Sequence, residues 1–226
     1  MKAVLFDLFE TLVTQQYPDR PTQQSFADRL GLELEDVRAW WRTSSRDRMT
    51  GKFASYRETL SALCEALCTS VDAATLDELS KDRESRKRDY LLGVEPKTIR
   101  LLSRLRASGW RVGILSNATP DEIVCWPECP LRDVVDDHVF SCQVNTMKPE
   151  AEIYHLACER LQFRPKEGVF VGDGGFDELQ GAAAVGMRPV QAKWYASRDI
   201  AWETAPKLAS VDCIDDLFDH LEGMSS

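Results

Sequence analysis

The chain has 226 residues, 43% of them hydrophobic and 29% charged, with a formal net charge of −9. That is enough apolar content to bury a sizeable core, and the acidic surplus excludes a nucleic-acid or anionic-membrane binder working through bulk charge. No apolar run approaches membrane-spanning length and no basic leader precedes a long apolar stretch, so a cytoplasmic protein is expected.

The first element is an apolar run from Lys2 that ends in Asp7-Leu8-Phe9-Glu10-Thr11-Leu12. It reads as a buried strand with a carboxylate at its C-terminal end, the end at which open α/β sheets bind ligands. Gln15 to Thr22 is polar, holds two Pro and reads as a linker. From about Gln23 to Leu92 the spacing of Phe26, Leu30, Val37, Tyr56, Leu60 and Leu63 predicts helices throughout. Gly93-Val94-Glu95-Pro96 is a turn before a helix over Lys97 to Ser108. Beyond it, strands are expected at 111–115, 139–141, 168–171 and 188–191, with helices at 153–161 and 179–185 the clearest between them. Alternation at this spacing implies βαβ units and a parallel sheet. The expected architecture is therefore an α/β Rossmann-like core (1–14 and 93–226) interrupted by an all-helical insertion (15–92).

Four polar sites share one context, a strand tip followed by a helix start: Asp7 with Thr11, Ser116 with Asn117, Lys148-Pro149, and Gly172-Asp173-Gly174-Gly175-Phe176-Asp177. All four should converge at the carboxyl edge of one sheet. Asp7, Asp173 and Asp177 form a hard-oxygen set that suits Mg²⁺. Ser116 and Lys148 can donate to a transferring phosphoryl group, with Thr11 and Asn117 as candidate substrate contacts. Taken singly each site has an ordinary reading as a turn, a helix cap or a solvated helix start; the set in this order is what carries the functional reading.

Seven Cys are scattered along the chain. The pairs Cys64/Cys68 and Cys125/Cys129 invite a zinc reading, yet none of His138, His155 and His220 completes a ligand pattern. Thiols packed as small hydrophobes in a reducing compartment are expected. Arg42, Arg46, Arg48 and Lys52 cluster near Gly51, with Tyr56 and Arg57 close by; they read either as an anion clamp, Arg46 and Lys52 included, or as a solvated face. The run Lys81 to Arg88 reads as a solvated face, and Trp40-Trp41 as packing or as a cleft lining.

These residues resemble the haloacid dehalogenase-like (HAD) hydrolase superfamily. Asp7-Leu8-Phe9-Glu10-Thr11 is similar to its first motif, Ser116 to the second, Lys148 in Met147-Lys148-Pro149-Glu150 to the third, and Gly172-Asp173 with Asp177 to the acidic fourth. Gly181 to Met187 is similar to the segment that follows the fourth motif. The resemblance covers essentially the whole chain and implies a helical cap that closes over the substrate, an aspartyl-enzyme intermediate on Asp7, and Mg²⁺ held by Asp7, the Phe9 carbonyl, Asp173 and Asp177. It also implies a small anionic, phosphorylated substrate, acted on by a monomer or homodimer.

In the family's phosphatases a second Asp two residues after the nucleophile transfers the leaving-group proton; here that position is Phe9. Dehalogenase members often carry an aromatic residue there, and their fourth motif lacks the leading acid that this chain keeps as Asp173. Losing a general acid costs ~10²–10⁴ in rate, tolerable with a good leaving group, whereas spare acids beside a carboxylate nucleophile bring a dehalogenase nothing. The expectation is thus a Mg²⁺-dependent phosphohydrolase whose missing acid comes from Glu10, from the cap or from the substrate. Haloacid- or phosphonate-type cleavage on the same Asp, and a non-catalytic HAD-fold binding protein, remain the alternatives.

Overall fold

The computed structural model describes residues 2–14, 22–195 and 208–224. Most of the expected linker, 15–21, lies outside them. The chain opens on β1 (Lys2–Phe6) and then runs through five helices, α1 (Gln23–Leu30), α2 (Leu34–Thr43), α3 (Ser45–Met49), α4 (Tyr56–Ala66) and α5 (Ala73–Leu92). After α6 (Pro96–Ala107) come β2 (Trp110–Ser116), β3 (Asp137–Phe140), α7 (Ser141–Val144) and α8 (Ala151–Arg160). The described chain ends with β4 (Gly168–Gly172), α9 (Glu178–Ala184), β5 (Arg188–Ala192), β6 (Ala209–Val211) and α10 (Leu217–Met224).

The six strands form one parallel sheet in the order β3-β2-β1-β4-β5-β6. β1 is central because four consecutive apolar residues bury both of its faces: Ala3, Val4, Leu5 and Phe6 are each 0% exposed. Val4 and Phe6 pack with Val112, Ile114, Val169 and Val171 on one side. Ala3 and Leu5 pack with Leu115, Tyr154 and Phe170 on the other. This two-residue alternation makes a double-sided core and aligns the C-terminal ends of β1, β2 and β4 along one edge.

The strand-like pattern that continues to Leu12 in sequence is not strand beyond Phe6. The chain instead makes a tight loop in which the N–H groups of Leu12 and Val13 both donate to the Leu8 carbonyl, and Glu10 takes a φ of 57°. The expected strand at 139–141 stops at Phe140, and Ser141 begins α7. Lys148-Pro149, expected at a strand tip, instead follows α7, because the chain turns helical straight after β3, and Pro149 precedes α8.

Helices α1, α4 and α5 have their own apolar cluster, centred on Leu30, Leu60, Leu63 and Leu79. Thr22, Ser55 and Asp72 cap these three helices through their side chains. The long α5 is the exception to the sequence reading. Its run Lys81 to Arg88, expected to be solvated, places Arg83 and Lys87 against the core with side chains only 18% and 7% exposed. Asp121 and Glu122, more than thirty positions away in sequence, neutralise them: Arg83 lies 2.5 Å from Asp121 and 3.2 Å from Glu122, and Lys87 2.7 Å from Glu122. Two further contacts tie the helical segment to the core, Arg88 with Glu128 at 2.6 Å and the Ser141 hydroxyl donating to the Met49 carbonyl at 2.6 Å. No described helix is long and apolar enough to cross a membrane.

Candidate active site

Asp7 follows the last residue of β1, and its N–H donates to the Val171 carbonyl of β4 at 2.8 Å. Its carboxylate therefore emerges at the sheet edge beside the loop after β4. Lys148 pairs with it, Nζ lying 2.6 Å from Asp7 Oδ1 and also on Glu178 Oε2. Lys148 is 1% exposed and Glu178 2%. Burial opposes the Lys148 charge, yet the Asp7 and Glu178 carboxylates raise its pKa above the ordinary value.

The second strand tip supplies Ser116 and Asn117, both buried. Asn117 clamps the backbone of Lys148: its side-chain amide donates to the Lys148 carbonyl at 2.9 Å, and its side-chain oxygen accepts the Lys148 N–H at 2.8 Å. It thus positions the ammonium, a role beyond the substrate contact expected of it. Ser116 is fully buried at the end of β2. Thr11 is also fully buried, and its hydroxyl has no hydrogen-bond partner among the described residues.

The acidic loop differs from expectation at one residue. Asp173, Glu178 and Asp7 each present a carboxylate oxygen, all within 4.8 Å of one another. Asp177 is exposed and outside this group. The cause is local: Phe176 and Asp177 both take a φ of 54°, a left-handed turn that carries the Asp177 side chain away and starts α9 at Glu178. Glu178 is then held by Lys148, by the Gly174 N–H at 3.1 Å, and through its carbonyl by the Tyr154 hydroxyl at 2.7 Å. Burial, with Asp7 and Asp173 as further causes, raises its pKa to about 8 against the opposing pull of Lys148. Asp173 is likewise raised, by burial and then by Asp7. Nothing in the spacing distinguishes Glu178 from Asp177; its place directly after a glycine-rich loop, at a helix start, was the available signal.

Phe9 is partly buried and packs against the core, with the Lys87 ammonium 5.4 Å from its ring centroid. Glu10 turns aside, its carboxylate accepting from the Thr14 hydroxyl at 3.0 Å, and it does not join the acidic cluster.

A cavity of about 810 Å³ lies between the helical segment and the core. Phe176, Thr119 and Lys87 line it, so it abuts the loop after β4 and the loop after β2. Among the described residues six cations line it, Arg38, Arg42, Arg48, Arg83, Arg86 and Lys87, with Glu122 as the one lining carboxylate; Arg38 and Arg83 also pair with Glu35 and Asp121. Of the expected clamp, Arg42 and Arg48 line the cavity, but Arg46 and Lys52 do not; Arg46 pairs with Glu150, and Lys52 with Asp47 at 2.5 Å. Trp41 lines the cavity while Trp40 packs on Trp41 and Phe53. Arg83 and Lys87 were hidden from sequence reasoning by the all-round charge of α5. The seven cysteines are all free thiols.

Known proteins share this fold. The chain is 25% identical over 199 residues, 84% of each chain, to (S)-2-haloacid dehalogenase 1 of Pseudomonas sp. (strain CBS-3). It is 31% identical over 114 residues, 48% of this chain and 46% of the other, to the glyceraldehyde 3-phosphate phosphatase of Pyrococcus furiosus. Among solved structures, a HAD family enzyme from Bacteroides thetaiotaomicron in complex with magnesium and inorganic phosphate superposes with a TM-score of 0.63 at 18% identity, covering 90% of this chain and 98% of that one. The family profile described as haloacid dehalogenase-like hydrolase matches residues 1–186, and the chain belongs to that family.

Proposed function

We propose that this hydrolase is a Mg²⁺-dependent phosphohydrolase that cleaves a small phosphorylated metabolite through an aspartyl-phosphate on Asp7. The observation that carries the reading is the charge imbalance at the sheet edge. Asp7, Asp173 and Glu178 crowd together in a buried place against one ammonium, Lys148. Burial raises the pKa of both Asp173 and Glu178, so the fold holds carboxylates whose ionisation it disfavours. An all-oxygen donor set with surplus negative charge fits a small hard cation. Asp7, Asp173 and the Phe9 carbonyl would hold Mg²⁺, with Glu178 rather than Asp177 as the further acid. When bound, the ion supplies positive charge opposite the phosphoryl oxygens.

The chain's own residues account for the rest. An Asp7 carboxylate oxygen attacks phosphorus, the ester P–O bond breaks, and the leaving oxygen departs with the electron pair. Lys148 and the Ser116 hydroxyl donate to the equatorial oxygens as charge spreads over them. Water then hydrolyses the acyl phosphate and restores Asp7. The helical segment 23–92 acts as the cap over this site, against a core of 1–14 and 93–226. Phe9 cannot transfer a proton, so esters with good leaving groups are the favoured substrates.

A second reading, 2-haloacid hydrolysis on the same Asp7, is favoured by the aromatic residue at position 9 and by the span of the dehalogenase similarity. A screen of phosphate esters and 2-haloacids, each with Mg²⁺ and with EDTA, separates the two. Phosphate release that requires Mg²⁺ supports the phosphohydrolase, and metal-free halide release from a 2-haloacid overturns it.

A further inference from the structure

We propose that the substrate carries, besides its reacting phosphoryl group, a second anionic group that docks on Arg48, borne on an apolar body that lies against Trp41 and Tyr56. This deepens the phosphohydrolase reading and rests on it.

Among the described residues Arg48 is a buried cation with no ion-pair partner. It is 7% exposed and lines the cavity. Its Nε donates to the Ser44 hydroxyl at 3.2 Å and its Nη2 to the Trp41 carbonyl at 2.8 Å, while its guanidinium lies 4.5 Å from the Trp41 ring centroid. These contacts hold the side chain in one place but do not neutralise it, and no carboxylate forms an ion pair with it among the described residues. The acids whose charge it feels are taken, Asp121 by Arg83 and Glu122 by Arg83 and Lys87. Burial and then the neighbouring Arg83 press against its charge and outweigh the pull of Glu122, Tyr56 and Asp121. A desolvated guanidinium held this way is stabilised by an incoming anion, and its planar fork suits a carboxylate or phosphate.

The shape of the cavity adds the body of the molecule. About 810 Å³ lies at the upper end of the range for small-molecule sites, and a two- or three-carbon substrate would occupy a small part of it. Its walls alternate the cations with Phe26, Trp41, Met49, Tyr56 and, from the core side, Phe176. Phe176, 54% exposed, adds apolar surface to the cavity wall. The positive lining stands out in a protein whose net charge is −9.

The test compares phenyl phosphate with 4-carboxyphenyl phosphate, which differ only in the second anionic group, in the wild type, Arg48→Met and Arg48→Lys, with Mg²⁺ present. Each variant is first checked for a native thermal transition, and Arg48→Lys carries the test if Arg48→Met does not fold. The wild type should favour the carboxylated ester by about tenfold or more in kcat/KM, mostly through KM, the scale of one charge-assisted hydrogen bond. The preference should fall to within about twofold of unity in Arg48→Met and lie between in Arg48→Lys. Calorimetric binding of benzene-1,4-dicarboxylate provides a readout free of turnover and should weaken by a similar factor in Arg48→Met. Turnover of both esters with no Arg48-dependent preference, and dicarboxylate binding indifferent to Arg48, would overturn the inference while leaving the phosphohydrolase intact. Arg48-dependent binding without turnover of either ester or of 4-nitrophenyl phosphate would instead sustain the anion site and reject the phosphohydrolase.

Discussion

Replacing Glu122 with Gln removes a single charge at the seam between the helical segment and the core. Its carboxylate accepts from Lys87 at 2.7 Å, from Arg83 at 3.2 Å and from the Thr119 N–H at 3.0 Å. Burial opposes its ionisation, but Lys87 and Arg83 overcome that and lower its pKa from 4.5 to about 2. At about 1.4 kcal/mol per tenfold change in proton affinity, the charged state is worth roughly 3 kcal/mol to the fold. Because the native pKa is the depressed one, this stability is present above pH 4.5 and is lost as pH falls through about 2. Urea unfolding of wild type and Glu122→Gln at pH 7 should differ by roughly 3 kcal/mol, with the gap narrowing as the pH is lowered from 4.5 toward 2. A gap under about 0.5 kcal/mol at pH 7, the scale of an ordinary surface change, would refute the reasoning. So would a gap that does not change with pH.

Two further substitutions probe the site. Phe9→Asp restores a proton-transferring group beside Asp7; turnover of esters with poor leaving groups should rise about tenfold or more, within the ~10²–10⁴ range of general acid catalysis. Esters with activated leaving groups should gain much less, and steady-state rates on a matched pair would show it; an equal fall on both would mean that Phe9 itself serves a working site. Gly181→Ala, in α9, should destabilise by roughly 1–3 kcal/mol, although Gly to Ala in a helix interior normally helps. A Cβ there would stand 2.7 Å from the Tyr154 hydroxyl and 2.9 Å from the Pro149 carbonyl, pressing on the loop that carries Lys148. Thermal unfolding and kcat should fall together, and a gain in stability would contradict the packing described.

The α/β core was legible because its signals are local. Four apolar runs after Gly93 and one before Asp7 each fall within a residue or two of a strand, and only the three-residue β6 passed unnoticed. Asp7 and Ser116 were legible as strand-tip residues for the same reason, whereas Lys148 follows α7 rather than a strand and reaches Asp7 from the turn before α8. What was not legible depends on backbone angles and on distant partners. A left-handed Phe176-Asp177 pair cannot be anticipated from residues that seldom adopt that region, so Asp177 was expected where Glu178 stands. Arg83 and Lys87 looked solvated because α5 is charged all round; their burial makes sense only once Asp121 and Glu122 face them. Arg46 and Lys52 looked like a clamp until Glu150 and Asp47 took them up.

The central claim, phosphoryl transfer to Asp7 at a metal-loaded site, is tested most directly by phosphate release from an activated aryl phosphate. The account predicts release by the wild type with Mg²⁺, loss of that release with EDTA and recovery on adding Mg²⁺ back, and none from Asp7→Asn. Full turnover by Asp7→Asn or in EDTA would contradict it.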